Sequence, residues 1–293
     1  MPELPEVETI VHDLNKVLPG LKIRDVWSNW NKLIKASNNF NDFKKELVGK
    51  KIFQVRRIGK NILIDLSAGM TILIHQKLTG HLLYGIWNLK SGIWTSNIEG
   101  ALRDDPKNQF IHLVVSLSNG KQLALSDLRK FAKVLIWPTE KLNEMKDLRE
   151  LGPDPLAQSF TFEKFKDILS GGKGKIKQFL MAQNKIAGIG NIYSDEILWE
   201  AGIHPLREVQ KIYEVELRKI YKAIKKVLLK AIKAKGDSMS DYRRPSGEKG
   251  KYQELQNVYQ MTGKKCKKGD GGVIQRLKIS GRSAHFCPVH QKD

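Results

Sequence analysis

Cysteine is almost missing from this sequence: Cys266 and Cys287 are the only two in 293 residues, and both lie near the C-terminus. That excludes a disulfide framework and leaves either a metal site or two idle thiols. Long apolar runs are missing as well; none approaches the roughly 18 residues a spanning helix needs. The first residues carry Glu3, Glu6 and Glu8 rather than a basic, apolar leader. Together these point to a cytoplasmic protein with no membrane partner. Acidic residues are scarce relative to basic ones, 31 Asp plus Glu against 51 Lys plus Arg, for a net charge of +20. The imbalance favours a polyanionic partner such as nucleic acid, although a basic ribosomal or membrane-surface protein would show the same count. No internal repeat is visible, and the length suits two domains with a small appendage.

What is present begins with a short amphipathic helix. Pro5 suits a first helical turn and Glu6 and Glu8 suit its positive end. Val7, Ile10, Val11, Leu14, Val17 and Leu18 repeat at helical spacing until Pro19-Gly20. From about Leu21 to Trp137 the pattern is strand-like, with runs at Ile52–Val55, Ile62–Leu66, Thr71–Ile74, Ile111–Val115 and Leu123–Leu125, and a hairpin signal at Ser118-Asn119-Gly120-Lys121. This predicts an antiparallel sandwich with one early helix. Beyond Pro138 helices are predicted at Phe162–Leu169, Ile176–Ala182, Ile192–Ala201 and Val209–Ala234. Lysines on the last of these read as a solvated face. The polar, glycine-containing stretch from Gly236 to Gly250 reads as a mobile loop, and strand-like residues return in the final 35.

The chemistry starts at Pro2, which becomes a terminal secondary amine once Met1 is trimmed. An α-amino group, with a pKa of about 8, is partly unprotonated near neutrality and can attack an aldehyde-like carbon. Addition to C1′ of a deoxyribose would expel the base and leave an iminium that acidifies the C2′ protons, opening the way to strand cleavage. Glu3 could protonate the leaving base or the ring oxygen, and Glu6, one turn on, could tune the site. Alone, Pro-Glu at a helix start is ordinary capping.

The wider pattern changes that reading. Pro2-Glu3-Leu4-Pro5-Glu6-Val7-Glu8-Thr9, Arg56–Lys60, His75–Gly80, Asp127–Phe131, Leu151–Leu156, Ala187–Tyr193 and Gly281-Arg282-Ser283 before Phe286-Cys287 occur in one order. In these the chain resembles the formamidopyrimidine-DNA glycosylase family along nearly all its length. The resemblance implies that Lys60 assists the chemistry as proton donor and phosphate ligand, and that Arg282 serves the second, δ, elimination and grips phosphates. A flipped-out base leaves a gap that side chains must fill. The family uses Met, Arg and Phe; here Arg129 and Phe131 match and Leu78 stands at the methionine position, with Leu78 and Phe131 as core residues the alternative to a wedge. The segment from Lys173 through Tyr193 looks like the family's helix–two-turns–helix, with Lys173, Lys177 and Asn191 as expected phosphate ligands. The loop from Ser238 to Tyr252 matches the region that covers the flipped base.

At the C-terminus the chain departs from the family's four-cysteine finger. Two cysteines are missing, but His290 keeps the spacing after Cys287, and Asp270 falls where the second cysteine belongs, with one residue inserted after Cys266. A Cys266–Asp270–Cys287–His290 tetrahedron is allowed for one structural zinc, with a hairpin held by packing alone as the alternative.

The expected molecule is thus α+β and multidomain: a catalytic β-sandwich with its N-terminal helix (1–137), a linker (138–150), a helix–two-turns–helix domain (151–237), a lesion-covering loop (238–257) and a zinc-finger-like β-hairpin (258–293). Its expected activity is removal of oxidised purines, formamidopyrimidines and 8-oxoguanine, from damaged double-stranded DNA. Strand cleavage by β,δ-elimination follows, carried out by a monomer. The alternatives are an endonuclease VIII-like glycosylase for oxidised pyrimidines and a non-catalytic damaged-DNA-binding protein.

Overall fold

A computed structural model describes residues 1–35 and 39–292. The chain divides into two units, Met1–Arg149 with Ala234–Gln253, and Glu150–Lys233 with Glu254–Asp293.

The first unit contains α1 (Leu4–Asn15), β1 (Ile23–Ser28), α2 (Phe40–Leu47), β2 (Ile52–Ile58), β3 (Asn61–Leu66), β4 (Met70–His75), β5 (His81–Gly85), β6 (Trp87–Lys90), β7 (Ile93–Ser96), α3 (Ala101–Asp104), β8 (Ile111–Leu117), β9 (Gln122–Ser126), β10 (Lys133–Pro138) and α4 (Lys146–Arg149). Two four-stranded antiparallel sheets, ordered β1-β8-β9-β5 and β10-β4-β3-β2, form the sandwich. Alternate residues of each strand, such as Leu113, Val115, Leu123 and Leu125 from one sheet and Ile62, Ile64, Ile72 and Ile74 from the other, meet in one core with Val7, Ile10 and Leu14 of α1. The helix ends at Asn15, earlier than its apolar repeat predicts. The Asn15 amide leaves the helix to pair with strand β2, accepting from the Val55 amide at 2.7 Å and donating to the Val55 carbonyl.

The opposite face of the first sheet is also buried. Leu83, Val114 and Ala124 pack there with Trp87, Leu102 and Ile111, beneath the β6–β7 hairpin and α3. The sequence offered no periodic signal for this cover, because it rests on isolated anchors rather than a repeating stripe. Of the stretch 138–150, expected as a linker, residues 138–149 continue the first unit and Glu150 opens the second. Pro138 still pairs with Met70, a 3₁₀ turn covers Thr139–Glu144, and Asp147 of α4 is ion-paired with Lys133.

Residues 234–253 return to the first unit, and the loop expected to be mobile is tied down throughout. Its base closes through Lys251 N–H to the Ala234 carbonyl (2.8 Å) and Tyr252 N–H to the Gly236 carbonyl (3.0 Å). Farther along, Arg243 pairs with Asp105 (2.6 Å), Arg244 with Asp13 (2.9 Å) and Lys107 with Asp241 (2.6 Å). Polar composition suggested mobility; the polar side chains are in fact the anchors.

The second unit contains α5 (Phe162–Leu169), α6 (Ile176–Met181), α7 (Asn191–Ala201), α8 (Glu214–Lys233) and the hairpin β11 (Gln275–Ile279) and β12 (Arg282–Phe286). Helix α7 is its axis: residues 193 to 199 are all buried, and α6, α8 and β12 pack around it. The long helix starts at Glu214 rather than Val209, after a separate 3₁₀ turn at Val209–Lys211. Its buried face carries Leu217, Ile220, Ile224, Val227 and Leu228. The C-terminal hairpin shares a core with the helices: Trp199 of α7 packs with Val258, Cys266, Ile274 and Cys287. Among the described residues no helix is long and apolar enough to cross a membrane.

Candidate functional site

In the first unit, Glu3 caps α1 and Glu6 reaches back to it in a reciprocal capping box. Glu6 Oε2 accepts the Glu3 amide at 2.8 Å, while Oε1 accepts the amide of Asp237 at 2.8 Å. Both residues are buried, Glu3 at 2% and Glu6 at 1% exposure, and Pro2 is buried beside them. The Glu6 carboxylate therefore acts as a clamp, fixing the first helical turn to the segment at 234–243. A close approach makes this possible: Gly236 has φ +81°, and a Cβ there would lie 2.9 Å from Glu6 Oε1.

Lys60 sits in the turn between β2 and β3. Arg57 holds that turn to α1, pairing with Glu8 at 2.7 Å and donating to the Gly59 carbonyl at 3.1 Å. One guanidinium thus links the helix behind Pro2 to the turn carrying Lys60. His75, at the end of β4, was not singled out by sequence. Burial, followed by the positive fields of Lys77, Lys133 and Lys60, pushes its pKa down to about 3, and its Nδ1 accepts the Lys77 amide at 3.0 Å. It is a neutral imidazole in a basic surround.

Leu78 is half-buried in the β4–β5 connection, whereas Arg129 and Phe131 are exposed in the β9–β10 connection, with Phe131 at 52%. The Arg129 guanidinium lies over the Phe131 ring, 4.8 Å from its centroid. Exposure of a phenylalanine beside an arginine suits a wedge and argues against a core role.

In the second unit the turn before α7 is cross-braced by Gln183. Its Oε1 accepts the Gly188 amide at 2.9 Å, and its Nε2 donates to the carbonyls of Met181 and Ile189, both at 2.7 Å. Gly188 has φ +96°, Gly190 caps the helix, and Asn191 opens it with its side chain partly exposed. Lys173 is exposed in the preceding turn. Lys177 overturns its expected role as a phosphate ligand: only 1% exposed, it donates to Asp195 and to the Ser283 carbonyl at 2.8 Å. Asp195 also accepts the His285 amide and ring Nδ1, each at 2.9 Å. Lysines near a glycine turn read alike in sequence, and only packing separates Lys173 from Lys177. Arg282 is exposed at the start of β12, next to a tight turn in which Ser280 and Gly281 both have positive φ. Ser280 is held to α6 by the Gln178 amide, at 2.5 Å.

Cys266, Asp270, Cys287 and His290 converge, with one ligand atom from each within 4.8 Å of the others, so the cluster could bind a metal ion. Cys266 Sγ lies 3.5 Å from His290 Nδ1, and Cys287 Sγ lies 3.4 Å from Asp270 Oδ2. These two edges match a tetrahedron with ligand bonds of about 2.0–2.3 Å, while a third, His290 Nδ1 to Asp270 Oδ2, is a hydrogen-bonding contact of 2.7 Å that an ion would have to widen. The groups behind the ligands fit too. His290 Nε2 faces the Trp199 carbonyl at 3.1 Å, which turns Nδ1 toward Asp270 and Cys266, and the Gly272 amide holds Asp270 Oδ1 at 2.8 Å. A Cβ at Gly272 would stand 2.4 Å from Cys287 Sγ, so glycine is required there.

The first 134 residues match the model of the formamidopyrimidine-DNA glycosylase N-terminal domain, and residues 151–243 match the model of that glycosylase's H2TH domain. A formamidopyrimidine-DNA glycosylase of Pelotomaculum thermopropionicum is 38% identical over 292 residues, covering 100% of this chain and 99% of its own. A mutant Lactococcus lactis FPG solved with DNA containing Fapy-dG superposes with TM-score 0.86 at 32% identity over 100% of both chains. A MutM structure in complex with DNA containing carbocyclic 8-oxo-G gives 0.85 at 32% identity, again over 100% of both. The chain belongs to the formamidopyrimidine-DNA glycosylase family.

Proposed function

We propose that this protein excises oxidised purines, formamidopyrimidines and 8-oxoguanine, from duplex DNA and then cleaves the abasic strand. The observation that carries this reading is the arrangement around the N-terminus. Pro2 is buried at the head of α1, Glu3 is pinned by Glu6, and Arg57 holds the Lys60 turn to the same helix. Such rigidity is what positioning catalysis requires.

The Pro2 nitrogen, free once Met1 is removed, attacks C1′ of the damaged nucleotide. The bond from C1′ to the base breaks, and Glu3 or Lys60 supplies the proton taken by the base or the ring oxygen. Loss of the nitrogen's proton and opening of the ring leave an iminium at C1′. Removal of a C2′ proton then expels the 3′ phosphate, and Arg282 assists the second elimination that expels the 5′ phosphate. Leu78, Arg129 and Phe131 fill the gap in the stack, Lys173 and Asn191 take phosphates, and residues 238–252 cover the extruded base.

The Cys266–Asp270–Cys287–His290 cluster would hold one zinc ion, whose contribution is structural, fixing the hairpin that carries Arg282. All proposed groups lie in one chain, so a monomer suffices.

Borohydride treatment of the protein with duplex containing 8-oxoguanine opposite cytosine should trap a covalent adduct. Acetylating the terminal amine should abolish trapping and strand cleavage together; persistence of both would defeat the Pro2 mechanism. Faster excision from a matched duplex carrying an oxidised pyrimidine would overturn the purine assignment.

A further inference from the structure

The two loops carrying the proposed wedge are neighbours by topology. The β4–β5 connection, with Leu78, and the β9–β10 connection, with Arg129 and Phe131, each cross from one sheet of the sandwich to the other. Strand pairing brackets both: His75 opposes Lys133 at one end, and His81 opposes Ser126 at the other. Among the described residues, no strand ladder holds the loops together between these brackets.

A buried polar joint takes its place. The Thr79 hydroxyl donates to Asp127 Oδ1 and accepts the Arg129 amide at 3.1 Å. Asp127 Oδ2 accepts the Ala132 amide at 2.8 Å, and Oδ1 also faces the Arg129 amide at 3.3 Å. Thr79 is 6% and Asp127 1% exposed, so water does not compete for these bonds. The loops also approach closely: a Cβ on Gly80 would lie 3.2 Å from the Ala132 Cβ. The residues just before Leu78 and Phe131, Lys77 and Lys130, both have positive φ, 55° and 57°, a conformation that survives only where its surroundings impose it.

We infer that Thr79 and Asp127 are positioning residues that join the two loops into one body, so that Leu78, Arg129 and Phe131 enter the duplex as a single preformed wedge. The inference rests on the wedge reading of those three side chains. Prying open a base step carries a free-energy cost, and ordering two separate loops at the same moment would add to it. The joint removes the second cost. It therefore serves extrusion of the damaged base and not the chemistry at C1′.

The test compares two substrates under single-turnover conditions: a duplex with 8-oxoguanine opposite cytosine, which must be opened, and the same duplex with a preformed abasic site. Thr79→Val, which keeps shape but loses the hydroxyl, should slow base excision at least tenfold and leave cleavage of the abasic strand within twofold. Thr79→Ser should restore excision. Phe131→Ala is the control for the wedge itself and should slow base excision at least tenfold. A Phe131→Ala that slows excision, with a Thr79→Val that slows both reactions equally, or neither, overturns the joint while sparing the wedge. A Phe131→Ala that leaves excision unchanged defeats the wedge reading and this inference with it. Should Thr79→Val fail to fold, a double-mutant cycle of Leu78→Ala and Phe131→Ala in the intact background decides: non-additivity above threefold in excision supports one body, and multiplicative losses overturn it.

Discussion

Lys177 and Asp195 form an ion pair sealed inside the second unit, with the ammonium 2.5 Å from the carboxylate and both side chains at or below 1% exposure. The pair spans α6 and α7, and through the Ser283 carbonyl and the His285 amide it also holds strand β12, which begins at Arg282. Removing one partner of such a pair leaves a buried charge uncompensated, at a cost of roughly 3–5 kcal/mol. Lys177→Met should therefore lower the thermal midpoint markedly. At a temperature where it is folded, the salt dependence of its DNA affinity should keep the wild-type slope, whereas Lys173→Ala should reduce that slope by about one. Equal slope changes in anisotropy titrations would restore Lys177 as a phosphate ligand.

The Glu6 clamp makes a second prediction. Each carboxylate oxygen accepts one backbone amide, from Glu3 and from Asp237. Glu6→Gln supplies only one acceptor and turns an N–H donor toward the other amide, leaving a buried mismatch of about 1–3 kcal/mol. Borohydride trapping should slow at least tenfold, along with a drop in stability measured by urea unfolding. Unchanged trapping would show that Glu6 does not position the terminus.

Gln76 predicts a gain in stability. It is 1% exposed, and neither polar atom of its amide has a hydrogen-bond partner among the described residues. Replacement by leucine removes that desolvation penalty at similar volume, so Gln76→Leu should be more stable by about 1 kcal/mol in chemical denaturation. A loss of stability would mean that the amide is satisfied in solution.

His75 sets part of the acid sensitivity. In the folded protein, burial first and then Lys77, Lys133 and Lys60 lower its pKa to about 3, against an ordinary value of 6.5. Below pH 6.5 the unfolded chain takes up a proton that the native state refuses, so this contribution is complete above pH 6.5 and is lost as pH falls toward 3. Between pH 7 and pH 5 the wild type should lose about 1–2 kcal/mol more unfolding free energy than His75→Gln. Parallel pH profiles for the two proteins would rule this out.

The metal cluster predicts one equivalent of zinc by elemental analysis, reduced in Asp270→Ala and in His290→Ala. Gly272→Ala should lose metal as well, since its methyl would collide with the Cys287 sulfur, 2.4 Å away. Chelation should then lower strand cleavage in its second step more than in its first, because Arg282 sits on the same hairpin. Full zinc retention in Asp270→Ala would remove the carboxylate from the ligand set.

The sequence carried five of the sandwich strands, β2, β3, β4, β8 and β9, and the four helices described in the second unit, and, set against the family's finger, the four metal-cluster residues. Each is written in local terms: a period of two, a period of 3.6, or a spacing preserved when the residue type changed. Even Asp270, displaced by one residue, was legible because its distance to Cys287 was kept. Helix ends were less so, since Asn15 stops α1 by bonding a strand 40 residues away.

Tertiary structure decided everything that depends on which polar group is buried. Lys173 and Lys177 are four residues apart and chemically identical, yet one faces solvent while the other neutralises Asp195 in a sealed core. The 234–253 loop looked free because it is polar, and it is fixed because Arg243, Arg244 and Asp241 find partners far away in sequence. Thr79 and Asp127, 48 residues apart, meet only because two crossovers of the sandwich run side by side. A charge or hydroxyl acquires its role from the partner that desolvation forces on it, and that partner is named only when the chain has folded.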